Sequence, residues 1–92
     1  MNWQLALTIH GSAQGVNFRW YAREEAKKLG LVGWVNNNPD GTVGVVAAGE
    51  RPVLEKLKEW CNAGPRWSKV ERADEVWKEI ERLEFSNFEI HY

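Results

Sequence analysis

The sequence predicts an α+β fold of the split βαβ kind, with two helices on one face of an antiparallel sheet. Three observations lead there. Apolar residues alternate with period two at both ends of the chain, two stretches carry them at helical spacing, and two β-rich runs in the middle are joined by an Asp-Gly turn.

Near the N-terminus Trp3, Leu5, Leu7 and Ile9 alternate with Gln4, Ala6, Thr8 and His10, the pattern of a strand with one buried face. From Phe18 onward Phe18, Ala22, Ala26 and Leu29 recur at helical spacing, and Gly30 follows as a left-handed C-cap that ends the first helix. Glu24 lies four residues before Lys28 on the outer side, so these charges read as a solvated helix surface. Residues 31–36 and 42–48 are rich in β-formers, and Asn37-Asn38-Pro39-Asp40-Gly41 between them signals a hairpin. After Gly49, Pro52 suits a first helical turn. Val53, Leu57, Trp60 and Cys61 then mark one apolar face before Gly64-Pro65 stops the second helix. Residues 73–84 fit two patterns: Val76, Ile80 and Leu83 make a helical stripe, while 70–77 reads as a charged edge strand. Pattern alone leaves both open. The tail alternates again, Phe88, Ile90 and Tyr92 against Glu89 and His91, and is expected to be a strand. The order βαββαβ is that of a ferredoxin-like sandwich, an architecture that hosts many unrelated activities and supplies no function by itself.

With 92 residues, the chain is expected to form one domain over 1–92. Its 43% apolar and 27% charged residues lie well away from the composition of disordered chains. Twelve basic residues against 13 acidic give a net charge of −1, so no global field favours nucleic acid or an anionic membrane. An anion site must therefore be local. No apolar run reaches membrane-spanning length and residues 1–15 lack the sections of a secretory signal, so the cytoplasm is the expected compartment. The lone Cys61 can form neither an intrachain disulfide nor a structural zinc site by itself, and neither cofactor nor metal is expected.

Gly11-Ser12-Ala13-Gln14-Gly15-Val16-Asn17-Phe18 joins the first strand to the first helix. Its glycines permit backbone angles that a Cβ forbids, which lets successive N–H groups turn inward. Reinforced by the positive end of the helix, such a loop suits a phosphate or carboxylate. Arg19, on the first helical turn, offers two parallel hydrogen bonds to phosphate oxygens and stays charged at any working pH. The spacing is neither that of a Walker loop nor GxGxxG. A plain strand-to-helix connection with a surface arginine is the competing reading, and the residues themselves do not choose between them.

Gly11-x-x-Gln14-Gly15-Val16-x-Phe18-Arg19, then Leu29-Gly30-Leu31-x-Gly33-Trp34-Val35-x-Asn37, then Asp40-Gly41-x-Val43 and Gly49, resembles the acylphosphatase family signature in spacing and residue type. The resemblance is dense over residues 11–49 and continues through Trp60, Gly64-Pro65 and Phe88-x-Ile90. It implies the same split βαβ sandwich, with 70–77 as a strand. It also implies cleavage of the carboxyl-phosphate anhydride of acyl phosphates, with inorganic phosphate as a product, no metal, and a monomer. Two functional positions carry over: Arg19 to bind the phosphoryl group and Asn37 to orient water. The chain departs from the pattern at Ala13, where a branched apolar residue is typical, at Ser12, where a basic one is frequent, and at His10, where an aromatic is common. The fold also occurs as a domain of larger maturation proteins. This makes a non-catalytic phosphate or carbamoyl-phosphate module the alternative, though a free chain of 92 residues is expected to be the enzyme.

Other features have blander expectations. Alternation puts Asn36 opposite Asn37, and only the family register selects Asn37. Of the six tryptophans, Trp3, Trp34 and Trp60 sit on apolar stripes and are expected to pack in the core. Trp20 either walls the acyl side of a substrate or lies half-exposed on the surface, and Trp67 is equally unplaced. Cys61 reads as a small buried hydrophobe. An imidazole in a strand is commoner as a hydrogen-bonded or exposed group than as a catalyst, which leaves His10 a supporting role at most. An RNA-binding module of similar topology would need a basic sheet, which the charge balance does not provide.

Overall fold

In the computed structural model, which describes residues 2–92, the alternation and the helical stripes become seven elements. They are β1 (Asn2–Ser12), α1 (Phe18–Lys28), β2 (Val32–Asn37), β3 (Val43–Gly49), α2 (Arg51–Ala63), β4 (Lys69–Ile80) and β5 (Phe88–His91). Met1, the first residue of the expected domain, lies outside the described residues.

The strands form one sheet in the order β4-β1-β3-β2-β5. The pairs β1–β3, β1–β4 and β2–β3 are antiparallel, as expected, but β2–β5 is parallel, so the sheet is mixed rather than wholly antiparallel. The reason is topological. β4 runs against β1, and one reversal of the chain after β4 makes β5 run with β1 and β2. Beside β2 at the far edge, that direction is parallel.

Leu5, Leu7 and Ile9 of β1, Val35 of β2, Val43, Val45 and Ala47 of β3, and Phe88 of β5 share the buried face. Against them pack Phe18, Ala22 and Ala26 of α1 and Leu54, Leu57 and Cys61 of α2. α1 closes with the two hydrogen bonds of a Schellman cap, Leu31 N–H to the Ala26 carbonyl at 2.9 Å and Gly30 N–H to that of Lys27 at 3.0 Å. Gly30 takes the left-handed angle this needs, φ 74°, and delivers Leu31 to the core at 4% exposure.

The open segment 73–84 resolves as strand through Ile80. Its helical stripe was coincidental: Val76 is 67% exposed on the outer sheet face and Leu83 lies beyond the strand at 43%. Trp34 corrects another expectation. Its neighbours Gly33 and Val35 are buried inward, so alternation turns Trp34 to the open face, where its ring stacks on His91 at 5.2 Å and an interplanar angle of 13°. Trp3 and Trp60 do pack against the core, Trp60 with its ring 5.5 Å from Phe18.

Register brings four chain positions to one end of this sheet. Ser12 pairs with Lys69, so the end of β1 meets the start of β4; β2 and β5 run with β1, so Asn37 and His91 finish at the same end.

Candidate active site

The connection from β1 to α1 begins later than the sequence suggests. β1 continues through Ser12, with a register shift between His10 and Gly11; Gly11 pairs with Val70 and Ser12 with Lys69. Gly11, at φ 123°, lies so close to β4 that a Cβ would run into the Lys69 carbonyl oxygen. Its glycine is thus explained by strand contact. The turn proper is residues 13–17. Ala13 is fully buried, and the Gln14 side chain leaves the turn for the β2–β3 hairpin, where Nε2 donates to the Asn38 carbonyl at 2.9 Å and that of Thr42 at 2.8 Å. Gly15 (φ 81°) and Asn17 (φ 62°) are left-handed residues in alternation, the arrangement in which successive backbone N–H groups face one concavity. Asn17 caps α1 with no side-chain hydrogen bond, so the first N–H groups of the helix keep their capacity for an anion.

These groups open on a pocket of about 570 Å³. The turn supplies Ala13, Gly15 and Asn17; α1 supplies Phe18, Arg19, Trp20 and Tyr21; Asn37 stands at the end of β2; and Ile90 and Tyr92 close the remaining side. Arg19 is held from the end of β5. Its Nη1 donates to the His91 carbonyl at 3.2 Å, and its Cζ lies 4.8 Å from the centre of the Tyr92 ring. Among the described residues the guanidinium has no acidic partner within salt-bridge distance, which leaves its charge uncompensated beside the turn.

Asn37 follows the inward side of β2, whereas Asn36 pairs with Gly44 across the sheet and faces outward. The Asn36 Oδ1 is buried without a hydrogen-bond partner, and a Cβ on Gly44 would approach it to 2.7 Å. The hairpin beyond is tied tightly. Asp40 Oδ1 accepts from Thr42 N–H at 3.0 Å and from Thr42 Oγ1 at 2.6 Å, while Asn38 Nδ2 donates to Thr42 Oγ1 at 3.0 Å. The Thr42 hydroxyl and amide together hold the Asp40 carboxyl below its ordinary value. With Gln14 gripping two carbonyls of the same hairpin, the 13–17 turn and the Asn37 strand end form one bonded unit.

Of the residues singled out from sequence, Ala13, Gly15, Asn17, Phe18, Arg19 and Asn37 meet on the pocket wall. Gly11 and Ser12 lie in the sheet, Gln14 braces the hairpin, and Val16 faces a neighbouring groove. Trp20 lines this pocket and is 47% exposed, as the surface reading has it. His10 is drawn away: its Nε2 donates to Asp74 Oδ2 at 2.9 Å, a bond that lowers the Asp74 carboxyl's proton affinity. Cys61 is fully buried, and desolvation pushes its thiol up to about 12. Sequence reasoning missed Tyr21, Ile90 and Tyr92. The alternation of the tail did place Ile90 and Tyr92 on one side, but only knowledge that β5 lies beside β2 converts that side into a pocket wall.

Comparison with known proteins identifies the family. The family model described as Acylphosphatase matches residues 5–90. An acylphosphatase of Thermococcus kodakarensis is 47% identical over 78 residues, covering 85% of this chain and 86% of the relative. The crystal structure of acylphosphatase from Bacillus subtilis superposes with a TM-score of 0.91 at 34% identity, covering 98% of this chain and 99% of that one. That of an acylphosphatase from Coxiella burnetii gives 0.87 at 37%, covering 98% and 93%. With a family match over nearly its whole length and relatives of this similarity, the chain belongs to the acylphosphatase family, whose members hydrolyse acyl phosphates to a carboxylate and inorganic phosphate.

Proposed function

We propose that residues 13–18 cradle the phosphoryl group of an acyl phosphate through backbone N–H groups, that Arg19 clamps its oxygens, and that Asn37 orients the attacking water. One observation carries the reading: Arg19 and Asn37, on separate elements, open on the same pocket as a turn whose left-handed residues present N–H groups to an anion. Gly11 and Ser12 anchor this cradle to the sheet, and Gln14 locks it to the hairpin that carries Asn37.

In the reaction, water oxygen bonds to phosphorus on the face opposite the acyl oxygen, and the phosphorus–oxygen bond to the acyl group breaks. The departing carboxylate is a weak base and needs no general acid. What remains to be supplied is alignment and charge stabilisation at the equatorial oxygens, which fixed N–H donors and a guanidinium provide. A neutral amide has no useful basicity, so the Asn37 side chain accepts a hydrogen bond from the water and directs its lone pair. The released proton passes to the phosphate or to solvent. This chemistry is cofactor-free and proceeds without a metal.

The reading takes 1–92 as a single domain working as a monomer in the cytoplasm. The test is hydrolysis of benzoyl phosphate in the presence of a chelator, with inorganic phosphate as competitive inhibitor. Turnover that survives the chelator is expected. Absence of turnover, or activity lost to the chelator and restored by a divalent metal, overturns the mechanism.

A further inference from the structure

Next to the phosphate pocket lies a second concavity of about 350 Å³, lined by Val16, Tyr21, Trp60, Pro65, Arg66 and Trp67. We propose that it is the acyl subsite of the same reaction and that it takes a planar apolar acyl group, making aryl-type acyl phosphates the preferred substrate class; the proposal rests on the catalytic reading above.

Three observations carry it. First, the two concavities share a wall, because Tyr21 lines both. Val16 likewise stands in the second while its neighbours Gly15 and Asn17 stand in the first. The second groove therefore adjoins the pocket on which the turn opens, with Tyr21 between them.

Second, in-line displacement fixes a direction. Water on the Asn37 side of phosphorus requires the leaving oxygen on the opposite side. In the order β4-β1-β3-β2-β5, the turn rises from the end of β1, with Asn37 of β2 to one side and β4 to the other. Residues 64–68 lead into β4 and carry Pro65, Arg66 and Trp67 at the same end of the sheet, since Ser12 pairs with Lys69. The acyl group accordingly departs toward this groove.

Third, the groove is built and chemically selective. Ser68 N–H and its hydroxyl both donate to the Pro65 carbonyl, at 2.9 and 2.7 Å, and Gly64 N–H donates to Trp60 at 2.7 Å. That turn presents Trp67, 75% exposed and therefore not needed by the core, with the Arg66 guanidinium 5.0 Å from its ring centre. Three aromatic rings, a valine, a proline and a flat cation offer faces for stacking and only one charge.

The experiment compares kcat/KM for benzoyl phosphate and acetyl phosphate in the wild type, Trp67→Ala, Arg66→Ala and Trp67→Phe. Acetyl phosphate is the internal reference, and comparing the ratio between variants cancels the intrinsic reactivity of the two anhydrides. The benzoyl-to-acetyl ratio is expected to fall about three- to tenfold in Trp67→Ala, chiefly through KM, as loss of one aromatic contact implies. It should fall less in Arg66→Ala and be largely restored in Trp67→Phe. A ratio unchanged in both alanine variants, with acetyl phosphate still hydrolysed, overturns the subsite and leaves the catalytic reading intact. A wild type that hydrolyses neither substrate overturns both.

Discussion

At the scale of single residues, the proposed roles are expected to separate under substitution. Asn37 touches water in the proposed mechanism and the phosphoryl group is held by others. Asn37→Ala is therefore expected to lose on the order of 100 to 1000-fold in turnover, the usual cost of a preorganised polar group, while inorganic phosphate still binds. Isothermal titration with phosphate beside a steady-state assay checks this; near wild-type turnover would remove the water-orienting role. Arg19→Ala should lose more, and lose phosphate binding with it. Cys61 makes the opposite case. A thiol pushed up to about 12 and fully buried is not ionised at neutral pH, so iodoacetamide should leave the native chain unmodified and alkylate it only after denaturation.

At the scale of elements, legibility tracked burial. The end of α1 was readable because Gly30 and the buried Leu31 belong to a local motif whose bonds lie within six residues. Gly30→Ala places a Cβ on a left-handed angle and is expected to cost about 1 kcal/mol, which lowers Tm by roughly 4–8 °C in a domain of this size. The β2–β3 hairpin was readable for the same reason, from its Asp-Gly turn. β4 was not, because at the sheet edge it buries no residue fully and its apolar pattern is diluted by charges. Nor was Trp34, whose outward direction is decided by the strand register and not by its hydrophobicity. In the site, turn chemistry pointed to Arg19 and a cradle without excluding a plain connection, and family likeness selected Asn37; the walls from β5 depended on pairing between residues far apart in sequence. The hairpin also sets an acid limit. Thr42 holds the Asp40 carboxyl below its ordinary value of 3.8, so this contribution is complete above that pH and disappears as pH falls through the lower folded value. Thermal melts of Asp40→Asn against wild type should differ at neutral pH and converge at strongly acid pH; a constant gap would contradict the linkage.

At the scale of the molecule, the sheet is built from distant partners. β1 pairs with β4 across nearly the whole chain, Asn2 with Ile80, and β5 finds β2 only after both helices are in place along the sequence. Loop closure of this kind precedes the contacts that reward it, so refolding is expected on the order of milliseconds to seconds rather than microseconds. Stopped-flow tryptophan fluorescence measures it, and complete refolding within tens of microseconds would contradict the topological argument.

The grip of His91 and Tyr92 on Arg19 also has a bearing on synthesis. Arg19 emerges from the ribosome 72 residues before His91, whose carbonyl steadies it. The nascent chain can fold its first helix and hairpin before residues 90 and 92 are made, yet until then it cannot assemble the pocket that contains Ile90 and Tyr92. Closure of the pocket wall thus waits on the β5 segment, and any peptide that continues past Tyr92 has to leave from the rim of the pocket itself.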